Sequence, residues 1–231
     1  VRRGVAAGAQ PVALEDREAI TRALALLSDE ERARHDRRRD PQERRSFRSA
    51  HALLRLALSH ELEGEPGSWR FTQGPHGRPE LDVGGVDPPI RFNLAHTRGF
   101  VTCVLARDGL LGVDVETSER RRDLTRLAPR CCAASELADL QGRPDDEQRL
   151  RRFLAYWTLK EAYAKALGKG LGLSLRSAVF ALQGEASARL VAGEEQGPWH
   201  FFRLQPDARH QIAVAFAGEQ PPRLCTREVD P

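Results

Sequence analysis

One segment of this chain is committed to a long helix. It opens on Pro144-Asp145-Asp146, a helix start signal, and closes at Gly168, which can take the left-handed stop of a helix without strain. Between them Leu150, Leu154 and Trp157 recur at helical spacing, with Phe153 beside them. At about 100° per residue the stripe continues through Glu161, Ala164 and Lys165, so the expected core face runs straight into a carboxylate. Burying a carboxylate without a partner is costly or neutralises it, so Glu161 needs a cation. An exposed i,i+4 pair with Lys165 would be worth only about 0.3–0.5 kcal/mol, too little to justify the position. A metal ion or a phosphate-bearing ligand would justify it.

Composition sharpens this. Of 36 Lys and Arg residues only three are lysine, and Lys160, Lys165 and Lys169 fall within ten positions of one another. Arginine offers a planar fork, whereas lysine offers a compact ammonium that can meet a phosphate oxygen or pass a proton. The plain alternative is a solvated helix face.

A second acidic group lies upstream. Residues 100–106 and 110–116 are apolar runs joined by Arg107-Asp108-Gly109, which reads as a β-hairpin. In the second strand Leu111, Val113 and Val115 point one way, and Asp114 and Glu116 the other. Adjacent carboxylates repel; either a hard divalent cation or a hydrated edge strand accommodates them. With Glu161 added, three carboxylates suit Mg²⁺, which completes its shell with water and substrate phosphates.

Four motifs in order now carry a resemblance: Gly77-Arg78-Pro79, Phe92-Asn93-Leu94-Ala95-His96-Thr97, Gly112-Val113-Asp114-Val115-Glu116 and Trp157-Thr158-Leu159-Lys160-Glu161-Ala162-Tyr163-Ala164-Lys165. Together they resemble the 4′-phosphopantetheinyl transferases of the large, surfactin-synthetase-activating type. That resemblance implies transfer of the phosphopantetheine arm of coenzyme A to a serine of an apo acyl or peptidyl carrier protein, with release of adenosine 3′,5′-bisphosphate. It implies that Asp114, Glu116 and Glu161 hold Mg²⁺, that Lys160 and Lys165 contact phosphates, with Lys165 assisting the leaving group, and that Arg78 and His96 contact the 3′-phosphate. Ala95 stands where the commoner motif has a serine, which leaves Thr97 and a backbone N–H to serve. Glu161 is the preferred general base; Glu116 or a metal-bound water are alternatives.

The segment from Arg32 to Arg48 carries eight arginines. One rival reading is therefore an Arg-rich nucleic-acid-binding protein, but the net charge is only +3 and Phe47 is the segment's single aromatic. The favoured reading is a positive coat for coenzyme A, with Arg45 and Arg48 among its contacts, and for acidic carrier domains. About half of these arginines are expected to be a solvated face balanced by nearby acids. A metal-dependent phosphohydrolase would share the three carboxylates but release free phosphate. Walker loop, His-Glu-x-x-His, Gly-x-Ser-x-Gly, Gly-x-Gly-x-x-Gly and paired Cys-x-x-Cys motifs are all missing.

The expected fold is α+β, with two similar halves, each a helix and a small antiparallel sheet, meeting in a cleft. The halves are placed at 1–109, for nucleotide and carrier contacts, and 110–231, for the carboxylates and the lysine-bearing helix. Helices are expected over 15–27, from a capping box at Ser28-Asp29-Glu30-Glu31, and from Pro41 to about Leu62. Strands follow near 69–72, 89–94 and 100–106, and in the second half near 177–183, 187–192, 199–205 and 210–217. No run approaches the roughly 18 apolar residues of a membrane span. Cys103, Cys131, Cys132 and Cys225 have no metal spacing, and a reducing cytoplasm is the simplest setting. Neither nucleic acid nor membrane is expected as a partner, and a monomer suffices. The lack of any methionine suggests a processed start, with Val1 to Gln10 partly disordered.

Overall fold

The computed structural model describes residues 4–11, 17–74, 79–84, 90–119, 124–169, 172, 174–195 and 197–229. In chain order its elements are β1 (Gly4–Pro11), α1 (Arg17–Leu26), α2 (Asp29–Asp36), α3 (Pro41–Leu62), β2 (Phe71–Gln73), β3 (Pro79–Leu81), β4 (Arg91–Thr97), β5 (Phe100–Ala106), β6 (Leu110–Thr117), α4 (Leu124–Cys131), α5 (Ala134–Gln141), α6 (Asp146–Leu167), β7 (Val179–Gln183), β8 (Ser187–Ala192), β9 (Trp199–Leu204), β10 (His210–Ala217) and β11 (Arg223–Glu228). They form two compact units, one running to Asp108 and resuming at Arg223, the other from Gly109 to Pro222. Each is α+β.

In the first unit the sheet order is β11-β1-β5-β4, with β11 parallel to β1 and the other pairs antiparallel. Residues 4–10, expected to be partly disordered, are instead a strand, held by backbone pairing to β5 and β11; residues 1–3 lie outside the described set. The capping box forms as expected. The Ser28 hydroxyl accepts from the Glu31 N–H at 3.2 Å and the Glu31 carboxylate accepts from the Ser28 N–H at 2.8 Å. Helix α3 starts at Pro41, with the Asp40 carboxylate accepting from the Glu43 N–H, and it buries Leu53, Leu54 and Leu58 against Phe92, Val101 and Leu105. Glu31 does a second job. Its carboxylate accepts from His51 Nδ1 at 2.8 Å and from Arg55 Nε at 2.9 Å. Burial alone would raise its pKa; the hydrogen bonds from His51 and Ser28, with the charges of His51 and Arg55, outweigh burial and hold it at about 2.

The second unit is a five-stranded antiparallel sheet, β6-β10-β9-β8-β7, carrying α6 on one face. Asp145 caps α6 by accepting from the Gln148 N–H at 2.7 Å, and Gly168 ends it at φ 69°. The helix is more deeply buried than an amphipathic stripe requires. Phe153 to Tyr156, Thr158 to Lys160, Ala162 to Ala164 and Ala166 are all buried, whereas Leu150, Trp157 and Glu161 lie half-buried at the margin. Small residues let α6 settle onto β6. A Cβ at Gly112 would lie 2.0 Å from the Ala162 carbonyl oxygen and 2.6 Å from the Ala166 nitrogen, so the strand can pass there only as glycine.

Two further expectations are corrected. Residues 100–106 and 110–116 do not form a hairpin: β5 pairs with β1 and β4, and β6 with β10, in separate sheets. Arg107-Asp108-Gly109 breaks the chain direction, with Gly109 at φ 78°, but turn residues do not dictate which strands pair. The segment from Arg223, expected in the second half, supplies β11 to the first unit.

Two outcomes follow from this packing. Gly112→Ala should lower stability by about 3 kcal/mol, the upper range for overpacking, read as the urea midpoint. Because the Glu31 pKa is depressed in the folded state, its contribution is complete above its ordinary 4.5 and is lost as pH falls toward about 2. Thermal melting from about pH 5 to pH 2 should therefore show a steeper loss for the parent than for Glu31→Gln; parallel curves would contradict the assignment.

Candidate functional site

Strand β6 and helix α6 bring a carboxylate and an ammonium together inside the second unit. Lys165 Nζ donates to Asp114 Oδ1 at 2.7 Å and to the Val113 carbonyl oxygen at 3.0 Å. Asp114 is 8% exposed, and its Oδ2 is buried with no hydrogen-bond partner. Burial raises the Asp114 pKa, Lys165 pulls it back, and the nearby charges of Glu116 and Glu161 push it up again, leaving it at about 6. Both glutamates are half-buried. Asp114 and Glu116 sit two apart on β6, opposite Ala213 and Gln211 of β10, and so share a strand face.

This group has the chemistry of a hard-cation site: oxygen donors alone, mutually repelling, with one buried carboxylate oxygen unsatisfied. It is not a formed coordination shell. Among the described residues no three His, Cys, Asp or Glu side chains are arranged to hold a metal ion, and Lys165 occupies one Asp114 oxygen.

Lys160 is corrected. It is fully buried, and its ammonium, which has three N–H donors, meets Glu136 Oε2 at 2.8 Å, the Leu175 carbonyl oxygen at 3.0 Å and the Ala178 carbonyl oxygen. Nothing is left to face a phosphate. The buried charge on α6 that demands a partner is thus Lys160, one position from Glu161. Glu136, missed in the sequence, also accepts from the Ala133 N–H at 2.7 Å and the Phe180 N–H at 2.9 Å, joining α5, α6 and β7. Its signal was faint: the residue before α5 is Ala133, which has no capping side chain, and Glu136 caps from within. Lys169 is exposed beyond the helix stop and pairs with Glu194.

The residues expected at the nucleotide end belong to the first unit. His96 is exposed and Thr97 half-buried at the end of β4, paired in register with Val101 and Phe100 of β5. Arg78 lies outside the described residues. Arg45 is half-buried, whereas Arg48 is buried with Nη1 against His35 Nε2, which corrects its expected exposure to phosphate. Within the arginine segment, Arg32, Arg34 and Arg38 pair with Asp29, Glu30 and Glu43, so at least three of its eight charges are locally balanced, and Arg44 donates to the Arg38 carbonyl oxygen.

A family model described as the 4′-phosphopantetheinyl transferase superfamily matches residues 110–217, the stretch from β6 through β10. The chain is 34% identical over 194 residues to the 4′-phosphopantetheinyl transferase HetI of Nostoc sp., covering 84% of this chain and 80% of the relative. It is 24% identical over 209 residues to the 4′-phosphopantetheinyl transferase Sfp of Bacillus subtilis, covering 90% and 88%. Among solved structures, the holo-acyl-carrier-protein synthase (AcpS) of Thermotoga maritima matches at 27% identity and a TM-score of 0.40, over 48% of this chain and 64% of that one.

The Glu136–Lys160 pair yields a stability test. Lys160→Met leaves a buried carboxylate without its cation and should cost about 3–5 kcal/mol. Glu136→Gln combined with Lys160→Met removes both charges while the amide oxygen still accepts from Phe180, so much of the loss should return in urea denaturation. A single variant as stable as the parent would show that the pair does not hold these elements.

Proposed function

Because the chain belongs to the 4′-phosphopantetheinyl transferase superfamily, we propose that the carboxylate and ammonium group on β6 and α6 is its reaction centre. The enzyme transfers the 4′-phosphopantetheine arm of coenzyme A to a serine of a carrier protein. The observation that carries the assignment of the centre is Asp114: buried, held on one oxygen by Lys165, unsatisfied on the other and pressed by two further carboxylates.

We assign Mg²⁺ to Asp114, Glu116 and Glu161; when bound, it supplies charge neutralisation at the coenzyme A pyrophosphate. The chain's own groups do the rest. The serine oxygen forms a bond to the β-phosphorus as the bond to the departing adenosine bisphosphate breaks, and charge grows on the phosphate oxygens. Lys165, fixed by Asp114 and the Val113 carbonyl, presents a compact ammonium to that charge and can give a proton to the leaving phosphate. Glu161, at the half-buried margin of α6, takes the serine proton; Glu116 is the alternative base. His96 and Arg78 are assigned to the 3′-phosphate of coenzyme A, with Thr97 and Arg45 as further nucleotide contacts. We take the enzyme to act as a monomer in a reducing cytoplasm, consistent with four free cysteines. Among the described residues no helix is long and apolar enough to cross a membrane.

The test is mass spectrometry of an apo carrier protein incubated with the enzyme, coenzyme A and Mg²⁺. A phosphopantetheine adduct on serine is expected with the parent and nearly none with Asp114→Ala. Lys165→Arg keeps the charge but not the compact, titratable donor, and should lose about 10²-fold or more in single-turnover rate, the scale of one positioned donor. Lys169→Arg, altering an exposed pair beyond the helix, should stay near normal. Equal behaviour of the two arginine variants would reduce the lysines to a charge patch.

A further inference from the structure

We propose that Cys131 and Cys132 form a dithiol site that takes one thiophilic centre, with trivalent organoarsenicals as its ligand class, and that filling it disables the reaction centre through Glu136. The two sulfurs lie 3.9 Å apart, at the end of α4 and in the connection to α5. Their hydrogen bond lowers the Cys131 pKa against the opposing effect of burial, and the Lys160 ammonium lowers it further, so Cys131 is the readier nucleophile.

Neighbouring residues suit a bridging atom better than a direct bond. Disulfides usually span Cα separations of about 4.4–6.8 Å, whereas consecutive Cα atoms across a trans peptide are about 3.8 Å apart. One atom between the sulfurs relaxes that demand. An arsenoxide, R–As=O, condenses with both thiols: two As–S bonds form, the two thiol protons leave with the oxygen as one water, and arsenic remains trivalent. Cys131 is 4% and Cys132 0% exposed, so entry requires α4 to open. Helix α4 has eight residues and contains Pro129, which removes an internal hydrogen bond and weakens it.

The route to the reaction centre is short. Immediately after the dithiol the Ala133 N–H is bonded to Glu136, which also holds Lys160 and the Phe180 N–H. Drawing the sulfurs onto one atom displaces this connection, and Lys160 neighbours Glu161 on α6. The coupling to activity rests on the function proposed above; the binding does not.

The experiment treats the full chain with phenylarsine oxide and reads intact mass, peptide mapping and carrier modification. One phenylarsenic per chain is expected, formed with loss of one water. It should map to the peptide containing Cys131-Cys132, survive excess monothiol and be released by 2,3-dimercaptopropanol. Cys131→Ala and Cys132→Ala should lose it, and Cys225→Ser should keep it. At full occupancy, transfer should fall below about one tenth of the untreated rate, the scale of displacing a positioned group, and return with the dithiol. No adduct, an adduct mapping only to Cys225, or one removed by monothiol would overturn the site. Full occupancy with undiminished transfer would overturn the coupling. Absence of transfer before treatment would count against the proposed function, while the mapped adduct still decides the dithiol.

Discussion

The second unit depends on one close approach, where β6 passes over α6 at Gly112. Backbone meets backbone there, with the Ala162 oxygen and Ala166 nitrogen where any side chain would project. Two residues on, the same strand face presents Asp114, and one turn of helix past Ala162 stands Lys165. The ion pair forms because the spacing between strand and helix is fixed by atoms that cannot yield. A glycine in the middle of a strand is ordinarily a weakness; here it sets the reach of a lysine.

The lysines of α6 show how burial decides the use of a charge. Lys160 is surrounded, so its three donors must be satisfied within the protein, and Glu136 with two carbonyl oxygens satisfies them. Lys165 is half-buried and faces a carboxylate with an unsatisfied oxygen. The first fastens the helix, and the second is the one to which the proposed function assigns chemistry. Five positions on one helix separate a fully buried cation from a half-buried one.

Much of this was legible in the chain. Asp145 and Gly168 marked the ends of α6, Pro41 the start of α3 and Ser28 with Glu31 the capping box, because these signals are local backbone chemistry. Other features were hidden for equally physical reasons. No helix was expected over 124–131 or 134–141: α4 carries Pro129 inside it, and α5 lacks a capping side chain. The stripe on α6 predicted one buried face, but a helix covered on nearly every side has no period to read, so Glu161 passed for a core residue and the burial of Lys160, whose phosphate contact came from the resemblance alone, went unseen. Strand partners were beyond reach, since Arg107-Asp108-Gly109 suits a hairpin as well as a passage from one sheet to another.

The parallel pairing of β11 with β1 sets an order of assembly. During synthesis β1 emerges before the whole second unit and its β11 neighbour after it. The second unit therefore has its full sequence while the first still carries an open strand edge. Contacts of such sequence separation form slowly, because a long loop must close before they are rewarded. The strand made after the second unit is the one that pairs with β1, so on the ribosome the first unit waits until the whole of the second has been made.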